Sequence, residues 1–224
     1  MCGRYSWVQK KALSLSKHLK LAPPPPSVSY NRAPGQSHPI ITQSENSLSW
    51  SLAKWGFTSK ISQATNIPSP INARIETVLE KTIFQNSILN QRCLIPADGY
   101  FEWQKIETQK YPHFHYLNTG KDFAMAGIWN SQITKESDEI SFAIITKQAS
   151  SNISHIHNRM PVILSDEDWA DWLAPQTSIK NLLSRYSKGT QTLEFHQVSS
   201  LVNSVTMDGI ELIEKFSEKQ STLW

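Results

Sequence analysis

The sequence predicts an α+β fold, a single domain over residues 1–224 built on a mostly antiparallel, barrel-like β-sheet with peripheral helices. Segments of strand character outnumber those of helical character, and the two do not alternate regularly. That order excludes a doubly wound parallel sheet. The 224 residues suit one large domain or two small ones, and neither an internal repeat nor a long linker divides them.

In chain order, residues 8–19 carry apolar positions at helical spacing and predict the first helix. Residues 22–27 include four consecutive prolines and predict a short polyproline II connector on the surface. Tyr30-Asn31-Arg32-Ala33-Pro34-Gly35 reads as a turn-rich loop. Short segments rich in β-branched or aromatic residues predict strands at 38–43, 48–57, 92–95, 100–104, 112–117, 123–129, 142–146 and 193–198. Helices are expected at 77–90, 166–173, 179–186 and 209–216. Ser165 with Asp168 resembles an N-terminal capping pattern, and Gly189 suits a stop.

The totals narrow the setting. No apolar run approaches the roughly 20 residues of a membrane span, so no membrane partner is expected. The first residues lack the charged-then-apolar layout of a secretory signal, so a cytoplasmic location is the default. Two cysteines fit reactive or buried thiols better than a disulfide framework. A net charge of +3 permits a nucleic-acid partner without demanding one.

Cys2 follows Met1 directly, so removal of Met1 leaves an amine and a thiol on adjacent carbons of one residue. Such a 1,2-aminothiol condenses with an aldehyde through nitrogen and closes through sulfur to a thiazolidine. An α-amine titrates near ~7.8 and a thiol near ~8.5, so both are close to reactive at neutral pH. Cys93, at the start of an apolar stretch, reads as a small buried hydrophobe.

Asp98-Gly99-Tyr100-Phe101-Glu102-Trp103 sets one carboxylate in an aromatic strand. At a period of two, Glu102 shares a face with Tyr100, while Phe101 and Trp103 point the other way. Glu102 is either an acid/base raised towards neutrality by desolvation or an edge-strand carboxylate in water. In Ile71-Asn72-Ala73-Arg74, Asn72 and Arg74 share a face if the segment is extended. They supply a positioning amide and a phosphate-binding guanidinium, or belong to an ordinary surface strand. His155-Ile156-His157-Asn158-Arg159 offers a general acid in His157, a His-x-His metal pair, or a structural histidine. No CxxC, phosphate-cradling glycine loop or nucleophile elbow occurs, and neither a metal nor a cofactor is expected. Trp103, beside Glu102, is the tryptophan placed to stack on an unpaired base.

Together these pieces resemble the SOS response-associated peptidase family, also described as abasic-site processing or DNA–protein crosslinking proteins. The resemblance rests on Met1-Cys2-Gly3-Arg4-Tyr5, Asn31-Arg32-Ala33-Pro34-Gly35, Trp55-Gly56, Ile71-Asn72-Ala73-Arg74, the run from Arg92 to Trp103, and His157-Asn158-Arg159-Met160-Pro161. They occur in the family's order, and Val202-Asn203 with Gly209-Ile210-Glu211-Leu212-Ile213 extends the likeness towards the end. Thr58-Ser59-Lys60-Ile61-Ser62-Gln63 departs from the family, which usually has an apolar, proline-containing stretch ending in another Trp, and Thr206 replaces a more polar or basic residue.

The resemblance implies a bacterial-type monomer that binds single-stranded DNA and captures an abasic site covalently. It implies Cys2 as nucleophile and Asn72, Glu102 and His157 as further catalytic residues. Arg4, Arg74 and Arg159 are expected to hold phosphates, with Trp103, Asn31 and Pro34 near the DNA. In the expected chemistry His157 protonates the sugar ring oxygen, Glu102 manages the other protons, and thiazolidine closure shields the lesion from strand cleavage. Two rival readings are an N-terminal nucleophile thiol peptidase acting on the Met1–Cys2 bond, and a noncovalent single-strand DNA-binding module in which Cys2 is incidental.

Overall fold

The computed structural model describes residues 2–8, 12–44, 47–59, 68–133, 138–188 and 192–217. Its first half runs β1 (Tyr5–Trp7), α1 (Ala12–His18), β2 (Ser29–Arg32), β3 (Ser37–Ser44), β4 (Ser47–Trp55), β5 (Asn72–Arg74), α2 (Thr82–Asn90) and β6 (Arg92–Ala97). Then come β7 (Gly99–Ile106), β8 (Gln109–Tyr116), β9 (Phe123–Ile133), β10 (Asp138–Gln148), β11 (Arg159–Pro161), β12 (Ile163–Leu164), α3 (Trp169–Leu173), α4 (Ile179–Lys188) and β13 (Glu194–Gln197).

Five of these strands close a ring in the order β10, β4, β3, β6, β9 and back to β10. Closure leaves those strands no open edge over their paired length. It also explains why β6, Arg92-Cys93-Leu94-Ile95-Pro96-Ala97, is buried at every position: one face meets the barrel interior and the other is covered. The sheet is antiparallel apart from the β10–β4 and β10–β5 contacts, as the sequence suggests. Beyond the ring, β10 carries β5 on one edge and β11 on the other, so its C-terminal end gathers Asn72, Arg74 and Arg159.

A second antiparallel sheet, in the order β13-β8-β7-β1-β2, packs against this barrel. The layer between them contains Cys2, Tyr5, Trp7, Trp55, Tyr100 and Phe142, all buried. The outer face of the second sheet holds Phe101 and Phe114 against Val198, Val202 and Leu212. Tyr100 faces inward and Phe101 outward, the alternation that the strand period requires.

The structure corrects several expectations. Ser29–Arg32 is a strand rather than a loop, because Asn31 and Arg32 are buried and find partners there. The turn follows at Ala33-Pro34-Gly35-Gln36, where Gly35 at φ +85° takes a conformation open to glycine and Pro34 precedes it. Residues 209–216 form one 3-10 turn, Ile210–Leu212, instead of a helix. The helix expected from 77 begins at Thr82, after a run of turns. Ser165 does not cap its helix through a backbone N–H; its hydroxyl bonds the Asp168 carboxylate at 3.0 Å. Helix α1 is described from Ala12, and Gly189 and residues 60–63 of the divergent stretch lie outside the described residues.

Gly99 begins β7 where no side chain fits. A Cβ there would stand 2.2 Å from the Phe114 ring and 2.6 Å from the His115 carbonyl oxygen. Gly99→Ala should therefore destabilise the fold by about 1–3 kcal/mol through overpacking, read as a lowered midpoint in urea. An unchanged midpoint would contradict the close approach.

Candidate active site

The placement of the chain's start follows from β1. Tyr5 pairs with Tyr100 and Ser6 with Gly99, while the Phe101 N–H donates to the Arg4 carbonyl at 2.9 Å. On the other edge Tyr5 pairs with Arg32. The Arg32 guanidinium is buried with its carbon 5.9 Å from the Tyr5 ring centre and 5.5 Å from that of Trp7, and it donates to the Trp7 carbonyl at 3.3 Å. It also meets His38 Nδ1 at 3.0 Å. Burial, reinforced by the Arg32 charge, pulls His38 down to about 4, so a neutral ring accepts that bond.

Cys2 is thereby carried into the layer between the sheets, at 0% exposure. Asn72 Nδ2, at the start of β5, donates to the Cys2 carbonyl at 2.8 Å. Burial pushes the Cys2 thiol far up, and the negative charge of Glu102 pushes it further. The thiol is thus protonated at neutral pH.

Glu102 is 3% exposed, and burial raises its carboxyl to about 7 against the opposing charge of the chain's amino terminus. A carboxyl poised there gives and takes protons near neutrality. His157 Nδ1 lies 3.6 Å from Glu102 Oε1. The same Nδ1 lies against the Arg159 backbone, 3.0 Å from its N–H and 3.3 Å from its carbonyl oxygen. Burial, then the terminal positive charge, holds His157 below its ordinary value, so the neutral ring dominates at pH 7.

Two clefts meet at His157. One is lined by Arg74, Gln148, Asn158 and Arg159 as well. The other is lined by Glu102, Trp103, Lys105, Lys110 and Asn203. Arg74 is exposed in the first. Arg159 differs: both guanidinium nitrogens bind the Glu76 carboxylate, at 2.8 and 2.9 Å, and one also donates to the Thr146 carbonyl at 2.7 Å. Its charge is spent on that pair. Trp103 lines the second cleft with its indole N–H fixed to Asn203 Oδ1 at 2.8 Å.

Arg4 Nη1 donates to Asn31 Oδ1 and to the Val202 carbonyl, each at 2.8 Å. Asn31, 2% exposed, donates in turn to the carbonyls of Ser204 and Met207 at 2.8 and 2.7 Å. Asn31 is thus a buried clamp tying Arg4 to the C-terminal turns. Pro34 is exposed at its turn. The two histidines of His-x-His part company, with His155 edge-on to Phe195 and His157 at Glu102. Among the described residues no group of three His, Cys, Asp or Glu side chains is arranged to hold a metal. The sequence reading missed Lys105, Lys110 and Gln148, which no local motif marks.

A closed barrel is backed by a second sheet, and Cys2 lies buried in the layer between them. The chain belongs to the SOS response associated peptidase (SRAP) family, whose pattern matches residues 1–205. It is 33% identical over 226 residues to "Abasic site processing protein YoqW" of Bacillus subtilis, covering 96% of this chain and 99% of that one. "Abasic site processing protein YedK" of Escherichia coli is 29% identical, again over 96% and 99%. A crystal structure of a protein from Bacteroides thetaiotaomicron superposes with a TM-score of 0.79 at 25% identity, covering 96% of this chain and all of that one.

Because Glu102 is raised from 4.5 to about 7, its neutral form favours the fold. That contribution is complete below pH 4.5 and is lost as pH rises through about 7. Glu102→Gln should match the parent near pH 4 and exceed it by roughly 3 kcal/mol above pH 8. Denaturation midpoints across that range check it, and a gap that widens on acidification would contradict the assignment.

Proposed function

We propose that the chain processes abasic sites in single-stranded DNA by trapping the lesion's aldehyde as a thiazolidine on Cys2, after Met1 has been removed. The observation that carries this reading is the convergence of Cys2, Asn72 and Glu102, with the Cys2 thiol electrostatically coupled to Glu102 and the Cys2 carbonyl held at 2.8 Å by Asn72. The names of the relatives point the same way.

An abasic sugar is mostly a closed hemiacetal. The Glu102 carboxylate takes the hydroxyl proton as the carbonyl forms and the ring C–O bond breaks, then returns that proton to the released oxygen. A His157 ring N–H hydrogen-bonds the oxygen on which charge develops; burial keeps this ring neutral, so it serves as a hydrogen-bond donor rather than the proton source. The Cys2 amine adds to the aldehyde and its surplus proton passes from nitrogen to the new alkoxide; Glu102, reprotonated from solvent at its value of about 7, then protonates the resulting hydroxyl so that water leaves and an iminium forms. The thiol then gives its proton to the Glu102 carboxylate as sulfur bonds the carbon and the C=N electrons return to nitrogen. One water is released overall. Closure removes the electron sink on which strand-cleaving elimination depends. Arg74 holds a neighbouring phosphate, which makes the affinity salt-dependent and indifferent to sequence.

Mature protein incubated with oligonucleotides should form a denaturation-resistant adduct only when an abasic site is present. Cys2→Ala should abolish it. Glu102→Gln should slow its formation by about 10²-fold. Arg74→Ala should weaken noncovalent binding and make the salt dependence shallower by about 0.7. An adduct undiminished in Cys2→Ala would overturn the proposal, as would equal noncovalent binding to both strands with no adduct.

A further inference from the structure

The β7–β8 hairpin sets two lysines side by side with no ion-pair partner among the described residues. Its register pairs Phe101 with Phe114, Trp103 with Pro112, and Lys105 with Lys110. These three pairs share one face at the strand period. The face therefore runs from a buried aromatic pair, through a half-buried indole, to two exposed ammonium groups opposite one another. Like charges directly opposed across a ladder disfavour the pairing that holds them. The ion pairs among the described residues are Lys54–Glu139, His157–Glu102, Arg159–Glu76 and Arg185–Asp168, and neither hairpin lysine enters one.

Their position gives the opposition a use. Both lysines line the cleft that contains Glu102, Trp103, Asn203 and His157. The edge of β7 beyond Phe101 lies past the last contact of β1, so the cleft follows a strand edge that β1 does not cover. Asn203 fixes the Trp103 indole at 2.8 Å, which holds the ring in one orientation between the lysines and the reacting centre. The other cleft, across His157, is lined by Arg74, while Arg159 is neutralised by Glu76.

We infer that Lys105 and Lys110 together clamp one backbone phosphate of the bound strand on the Trp103 side of His157, opposite the phosphate held by Arg74. This rests on the proposed function, because it takes the strand to cross His157. The indole spans the distance between lesion and clamp as a wall for the intervening base. The clamp anchors the strand on both sides of the lesion, so a strand that stops at the lesion on the lysine side loses one anchor.

The test uses mature full-length protein and a strand carrying a tetrahydrofuran abasic analogue, which has no aldehyde and cannot crosslink. Lys105→Gln/Lys110→Gln should bind it several-fold more weakly at moderate salt, with a salt slope shallower by about 0.7. Crosslinking of an authentic abasic strand at saturation should remain within about twofold of the parent, since neither lysine reaches the reacting atoms. Truncating the analogue strand at the lesion should weaken the parent on one side by the amount the double variant has lost, and leave the double variant indifferent on that side. An unchanged salt slope, or equal sensitivity of parent and variant to both truncations, overturns the clamp. A thermal midpoint below the parent's would make the lysines structural and overturn it also. A parent that binds the analogue with the expected slope yet never crosslinks refutes the thiazolidine reading and leaves the clamp standing.

Discussion

The site depends on capture of a three-residue strand. β1 lies between β7 and β2 in the second sheet, and this pairing fixes where residue 2 must be. So short a strand makes few ladder bonds, and side chains supply the rest. The Arg32 guanidinium rests near the Tyr5 and Trp7 rings and donates to the Trp7 carbonyl, while the Asp98 carboxylate accepts the Val8 N–H. A buried guanidinium is costly unless its donors are met. Here Trp7, Ser27 and His38 meet the two terminal nitrogens, with burial keeping His38 neutral for the purpose, while Nε has no hydrogen-bond partner among the described residues.

The same burial tunes the reacting groups in opposite directions. It raises the Glu102 carboxyl and the Cys2 thiol and lowers His157. At neutral pH that leaves a carboxyl shared between its two forms, a protonated thiol and a neutral imidazole. In the proposed reaction amine attack precedes thiol closure, because the thiol ionises only when a proton acceptor is free and positive charge has appeared on the nitrogen beside it. The two clefts meeting at His157 give the proposed DNA strand a path past the centre that does not enter the core.

Much of this was legible in the sequence. The alternation Tyr100-Phe101-Glu102-Trp103 gave the correct faces because an aromatic strand buried on both sides obeys its period. Cys2, Asn72 and Glu102 were readable as chemistry, and the structure brings them together. The polar run Ser29–Arg32 imitated a loop, since nothing local reveals that Asn31 and Arg32 meet distant carbonyls. The neutralisation of Arg159 by Glu76, 83 positions away, was equally hidden. Lys105 and Lys110 became a pair only through the hairpin register, and Glu107-Thr108 carries no Asn-Gly signal at that turn. The residue types were legible, and long-range pairing decided which of them face the cleft.

The central claim is that the chain's own terminus reacts with the lesion. Intact mass of the mature protein after exposure to an abasic strand, followed by mapping of the modified peptide, tests it most directly. The account requires the summed mass less one water, with the modification confined to the peptide that begins at Cys2. A modification on a lysine elsewhere, or masses that stay separate, would contradict it.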